Sequence, residues 1–402
     1  MKNLSFFILM GLLTFTSCTN DEVIDEPIII ETTLEGIISE NKTLTSDEIW
    51  ELKGRVIVSN GATLTIEPGT IIKAYAGSGS QASTLIIARG AKIAAQGTAT
   101  KPIIMTSIAD NIEKGQTEGS NLDENQRGLW GGLIILGNAP GSFDGDVTEQ
   151  QIEGIPAADT NGLYGGAVSD DNSGILTYIS IRHGGAEIGE GNEINGLTLG
   201  GVGSGTTINH IEVVANVDDG IEFFGGTVNA SELLVWAQGD DGLDIDQAYS
   251  GTVSNSMVIL GSASDHALEI DGPEGSAIGK FTLNNITIIG NLDTEKGEYA
   301  DFRSQAMGTV NNVFAKGFKD SSDVELDNDG VATNYNNGDL VFGAWEIVLP
   351  SGISDVKDIF INKADNVTVT GFGDNATAVT TASVGADEGE FTWTFAYAKN
   401  AF

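Results

Sequence analysis

One cysteine, Cys18, stands in a chain of 402 residues, which excludes a disulfide-built scaffold and leaves that residue no disulfide partner. Basic side chains are scarce as well: 19 Lys+Arg face 57 Asp+Glu, for a formal charge of −38. Nucleic-acid binding rests on clustered Lys/Arg that neutralise phosphates, so no nucleic-acid partner is expected for such a polyanion. The same charge repels anionic polysaccharides unless a cation bridges the two. No stretch reaches 18 consecutive apolar residues, so no membrane-spanning helix is expected. The run Gly200–Gly205 (GGVGSG) leads into a strand pattern with no helix behind it, and the helix N-terminus that a phosphate needs is missing. No GxSxG elbow or Walker motif occurs, and no nucleotide or redox cofactor is expected.

Glycine, by contrast, is abundant at 53 residues, and the 40% apolar share is ample for a large core, so one large Gly-rich β domain or two ordinary ones are the open choices. At the N-terminus a short basic start, Met1-Lys2-Asn3, precedes ten apolar residues, Phe6 to Phe15. That length is too short to span a bilayer and suits a signal-peptide core. The segment FTSC ending at Cys18 resembles a bacterial lipobox, in which the cysteine is diacylated and becomes the mature N-terminus. The acidic residues that follow resemble the surface-export signal of Bacteroidota lipoproteins. The implied layout is a lipoprotein signal over 1–18, with Cys18 as the lipid attachment point, and a flexible acidic tether over 19–33. A lipid anchor in the outer membrane, exposed at the cell surface, is the expected location.

The chain repeats itself. DDGIEFFG (218–225), DDGLDIDQ (240–247), DHALEIDG (265–272), EYADFRS (298–304) and DVELDND (323–329) align with Glu222, Asp244, Glu269, Asp301 and Glu325 in register, at spacings of 22, 25, 32 and 24. INGLTLGG places Thr198 one coil earlier. Between these segments lies a second recurring strand: TTINHIEVV, GTVNASELLV, GTVSNSMVIL, FTLNNITII and GTVNNVFA. Two strands per coil with Gly and Asn at the corners predict a parallel β-helix whose coils stack ~4.8 Å apart. Apolar residues at period two, such as Ile221/Phe223 and Leu243/Ile245, fill the bore, which turns the residues between them outward. Asn209, Asn229, Asn255, Asn285 and Asn312 are read as stacked corner amides. The β-helix is expected over 34–330, with last coils and a C-terminal cap over 331–402 and long polar loops near 108–127 and 140–173.

The run IEPGTIIKA…LIIARGAKIAAQGTATKPIIMTS…RGLWGGLIILGNAP…IRHGGAEIG…NEINGLTLGGVG…DDGIEFFGG is similar to a group of Bacteroidota surface lipoproteins with a right-handed parallel β-helix of the pectin-lyase-like kind. The resemblance implies an all-β, single-stranded β-helix and a surface location.

Three sets of residues could carry chemistry. The outward column Glu222, Asp244, Glu269, Asp301, Glu325 and its neighbour Asp246, Asp271, Arg303, Asp327 stack carboxylates on consecutive coils. Like charges ~5 Å apart repel by ~0.8 kcal/mol in water and by ~3 at an effective dielectric of 20. Such a ladder binds cations, holds protons, or stands well solvated. Stacked hard oxygens suit Ca²⁺. Second, NVDDG, GDDG and DHA followed by FRS resemble the motifs of polygalacturonase-type glycoside hydrolases. Carried over, these make Asp219, Asp240, Asp241 and His266 the catalytic candidates and Arg303 the basic substrate-binding residue, with one carboxyl as general acid and another activating water. In this chain His266 lies between Asp265 and Ala267 instead of between glycines, and Ser304 follows Arg303 where the family has a lysine. Asp at such a turn also serves as an Asx cap on the backbone. Third, Trp236 shares an outward register with Arg182 and is a candidate for stacking on a sugar ring. His183 and His210 read as structural. The functional classes left open are a polysaccharide-binding surface protein with Ca²⁺ on its acidic flank, a polysaccharide-degrading enzyme, and a structural or adhesive component.

Overall fold

A computed structural model describes residues 31–187 and 194–402 of the chain. The expected lipobox and most of the tether, residues 1–30, lie outside the described residues.

Strands 3 to 10 residues long repeat from Thr33 to Ala378, and successive coils pair in parallel, as a β-helix requires. Each coil has three sides. The first side holds the short strands Leu197–Gly200, Ile221–Phe224, Leu243–Asp246, His266–Ile270, Glu298–Phe302 and Val324–Leu326, hereafter the acidic face. The second strand expected from the repeat proves to be two sides joined by a bend. Tyr178, His210, Glu232, Asn255, Asn285 and Asn312 all have positive φ, between 49° and 58°, and sit at the same place on successive coils. One left-handed residue turns the strand without ending it, and Asn tolerates that conformation better than most side chains.

This corrects the amide ladder in part. Asn255, Asn285 and Asn312 form the bend, with Asn312 Nδ2 donating to Asn285 Oδ1 at 2.9 Å. Asn209 falls one position before it, and Asn229 lies outside the register, where its Oδ1 accepts from Thr252 N.

The bore is continuous and apolar. Leu197, Ile221, Leu243, Leu268, Ala300 and Val324 stack along one line, and Leu199, Phe223, Ile245, Ile270, Phe302 and Leu326 along the next. Full burial of each aliphatic side chain is worth roughly 1.5–3 kcal/mol, and stacking fixes which face of each strand turns inward. Beyond residue 330, strands Leu340–Phe342, Trp345–Ile347, Phe360–Asn362 and Ala376–Ala378 add further coils, while Phe342, Phe360, Phe372 and Tyr335 pack edge to face at that end of the bore. A helix over Asp329–Asn337, N-capped by Asn328 and closed by Gly338 at φ 75°, sits beside them.

The remaining C-terminal residues do something the repeat did not announce. They run back along the third side, across coils formed far earlier in the chain. Ser383 N donates to Glu346, Ala386 N to Thr287 Oγ1, Asp387 N to Asn255 Oδ1 and Ala396 N to Glu212 Oε1. Phe391, Phe395 and Ala396 close over Val214, Leu234, Trp236, Met257 and Ile259. Under this strap lies an ion pair, Arg182 with Glu212, which are 2% and 0% exposed.

Both long loops also find their sides. Ile112, in the loop near 108–127, packs on Ile71 and Ile104. Phe143, Ile152, Ile155 and Tyr164, in the loop near 140–173, pack on Ile57, Ile86 and Ile134. Those three isoleucines pair through to Thr198 and occupy the same outward column as Glu222. The acidic face is therefore roofed on its early coils and uncovered by this loop on its later ones.

Candidate functional site

The acidic column is built as the spacing predicted: Thr198 pairs with Glu222, Glu222 with Asp244, Asp244 with Glu269, Glu269 with Asp301, and Asp301 with Glu325. Over four coil steps that is a row about 19 Å long. Backbone bonds carry the neighbouring column Asp246, Asp271, Arg303, Asp327 along beside it. Cations reach only part of the row. Arg303 contacts Glu269 and places Nε 2.7 Å from Asp271 Oδ2, and Lys363 contacts Glu325. The early end, at Glu222 and Asp244, has no such partner among the described ion pairs.

A second row runs along the corner just before these strands: Asn195, Asp219, Asp241, His266 and Glu298. Here the Asx-cap reading accounts for one oxygen of each aspartate. Asp219 Oδ1 accepts from Asp241 N at 3.0 Å, and Asp241 Oδ1 accepts from His266 N at 2.8 Å. Each carboxylate thus holds the backbone of the next coil. Asp241 Oδ1 also meets His266 Nδ1 at 2.8 Å, and the same nitrogen lies 3.5 Å from Glu269 Oε2. Asp240 is half-buried beside them.

The two rows converge into tight carboxylate groups. Oxygens of Asp219, Glu222 and Asp244 lie within 4.8 Å of one another, as do ligand atoms of Asp241, His266 and Glu269, and of Glu298, Asp323 and Glu325. In the first group all three residues are at least nine-tenths buried, and Asp244 Oδ1 has no hydrogen-bond partner among the described residues. Asn195 joins it, donating Nδ2 to Glu222 Oε2, and its own Oδ1 is also unpartnered among the described residues. An orphaned buried carboxylate oxygen is costly unless a proton or a cation satisfies it. Hard oxygens crowded this closely fit Ca²⁺ or Mg²⁺.

The electrostatics agree with the crowding. Burial, and then the adjacent carboxylates, push Asp219, Glu222 and Asp244 well above the usual carboxylate range. Burial and Asp271 lift Asp246 to about 7, burial lifts Asp301 to about 6, and burial with the Asp323 contact lifts Glu298 to about 7. For His266 burial acts downward, but the hydrogen bond and charge of Asp241 outweigh it and raise the imidazole to about 9.

The candidates from sequence thus fall into two places. Asp219, Asp240, Asp241, His266, Arg303 and the carboxylate columns share the acidic face. Trp236 does not join them, and the stacking role is corrected: it lies on the third side, 8% exposed beneath the strap, with Phe395 at 6.1 Å. His183 is buried with Nδ1 2.6 Å from Gln126 O, and His210 stacks on Tyr178 at the bend. Sequence reasoning missed Asn195, Glu298 and Asp323. The first was within reach, since Asn195-Gly196 aligns with Asp219-Gly220 and Asp241-Gly242.

No curated protein and no solved structure matches the chain significantly. A family model does, the pectate-lyase-like β-helix domain, over residues 36–398. That span contains every described coil but the start of the first strand, and it supports a polysaccharide-related or surface role in general terms. With parallel strands stacked along an apolar bore and that match over nearly its whole length, the chain belongs to the pectate-lyase-like β-helix domain family.

Proposed function

We propose that this is an outer-membrane lipoprotein, anchored through Cys18, whose acidic face binds polysaccharide with the help of Ca²⁺. One observation carries the reading: the Oδ1 of Asp244, unpartnered among the described residues, inside the buried Asp219/Glu222/Asp244 group, at the end of the row that no described ion pair reaches. A cation there neutralises the row and offers its remaining coordination positions to sugar hydroxyls or carboxylates. Titration calorimetry of protein starting at Thr19 with Ca²⁺, followed by glycan retention with Ca²⁺ or EDTA, tests it. Saturable Ca²⁺ binding and Ca²⁺-dependent retention support the reading, whereas glycan retention unchanged by EDTA refutes the cation's part in it.

A second reading is hydrolysis or Ca²⁺-assisted lysis of a glycan. It draws on the 2.8 Å contact of Asp241 with His266, and on the carboxyl groups whose raised values suit proton donation near neutral pH. Release of new oligosaccharides that vanishes in Asp241→Asn supports it; turnover that survives in that variant excludes Asp241 from the chemistry.

A further inference from the structure

We propose that the acidic face takes the end of a glycan chain and not its middle, an inference that rests on the polysaccharide reading above. The column that carries Glu222 and Asp244 has apolar residues at both extremes, and only one extreme is sealed. On the early side Ile57, Ile86 and Ile134 are 6%, 1% and 1% exposed, because the 140–173 loop lies directly on them. On the late side the column passes from Glu325 to Ile361, which stays partly open, and the Lys363 side chain beyond it is 44% exposed.

The loop is tied down along one edge of the face. Tyr164 packs against Phe224 and donates its hydroxyl to Gln247 Oε1 at 2.7 Å, and Gln247 Nε2 donates to Glu274 at 3.2 Å. Ser142 ties the loop to two coils, donating its backbone N–H to Gln247 O and accepting at Oγ from Gly275 N in the 271–280 segment. These bonds run along the C-terminal edge of the acidic strands, at the coils of Asp244 and Glu269. A chain lying along the row from its open late end must stop where the loop covers Ile134, and the exposed carboxylate of Glu274 stands at the edge of the face beside it. Hydroxyl donors suit carboxylate acceptors such as Glu274 and the acidic row, which favours a neutral terminal sugar.

The test uses linear oligosaccharides of short, medium and long chain length from one neutral glycan, maltodextrins first, with the matching cyclodextrins and with borohydride-reduced fragments. Binding to the intact protein is followed in Ca²⁺ at equal mass of sugar. End recognition makes the mass of sugar needed for half-saturation rise in proportion to chain length, leaves the cyclic sugars unbound, and shows with the reduced fragments which end is held. Half-saturation by mass that ignores chain length, with cyclic sugars bound equally, overturns end recognition and leaves the polysaccharide reading standing. If the same protein retains no member of a wider panel of xylo-, cello-, manno- and galacturono-oligosaccharides either, both readings fall together.

Discussion

Asp241 holds His266 from two directions, its Oδ1 accepting both the backbone N–H and the ring Nδ1–H, each at 2.8 Å. The bond is the pivot of the corner row, since the same aspartate donates its own backbone N–H to Asp219 Oδ1 one coil before. Removing the charge at Asp241 while keeping its shape should lower the imidazole from about 9 by at least a unit. A proton-NMR titration of Asp241→Asn reads this directly. A His266 titration that stays where it is in the parent would show that other carboxylates hold the proton.

Acidification should stabilise the metal-free protein, opposite to the behaviour of a fold held by surface salt bridges. The sign follows from the raised values. Asp246, Asp301 and Glu298 bind protons in the folded state that the unfolded chain has already lost between about pH 4 and 7. The folded state thus carries more protons across that window, so stability falls as pH rises through it. His266 acts in the same direction: its contribution is fully present below about 6.5 and lost as pH rises through about 9. Melting temperatures in EDTA should rise steadily from pH 7.5 to 5, and saturating Ca²⁺ should flatten the slope.

Asp244→Asn should separate stability from cation response. The buried group loses one of its mutually repelling charges, so the metal-free protein gains stability. The same change takes away an anionic ligand, and the Ca²⁺-induced rise in melting temperature should disappear. Denaturant unfolding with and without Ca²⁺ measures both, and a parent-sized Ca²⁺ response in the variant contradicts the assignment.

Beneath the strap, Glu212 accepts from Ser180 and from Ala396 N while facing Arg182. Glu212→Ala leaves a fully buried guanidinium without its counter-charge and should cost roughly 3–5 kcal/mol. Phe395→Ala should cost a similar amount, about 3–5 kcal/mol, through the lost ring and the cavity it leaves. Urea unfolding of the two variants, with m-values compared, checks both numbers.

Cys18→Ala should release the protein from the membrane fraction into the soluble one. Retention of the variant in membranes would count against lipid attachment at that residue.

Much of this was legible because a β-helix turns sequence spacing into stacking. Once Glu222, Asp244, Glu269, Asp301 and Glu325 share a register, their contact follows with no further knowledge of the fold. The three-sided coil was harder to see, because a single left-handed residue bends a strand without interrupting its alternation, and only the recurring Asn marked the place. The strap left a different trace. Val214, Trp236, Ile259 and Ile289 point outward in register, and an apolar outward column implies a cover. Nothing local says which distant segment supplies that cover, and so Trp236 read as a free ring. The roof over Ile57, Ile86 and Ile134 hid in the same way.

The strap also sets an order of events. Glu212 and the backbone that completes its hydrogen bonding, at Ala396, are 184 positions apart. During synthesis the coils around Glu212 can stack while their third side is still bare, with apolar columns and a half-satisfied acid facing water. A ribosome that stalls before residue 391 therefore leaves a well-formed solenoid with a greasy flank, a state open to chaperones, proteases and sticking to its neighbours. Arrival of Phe391 and Phe395 seals that flank, so the protein carries its own check that translation ran past them.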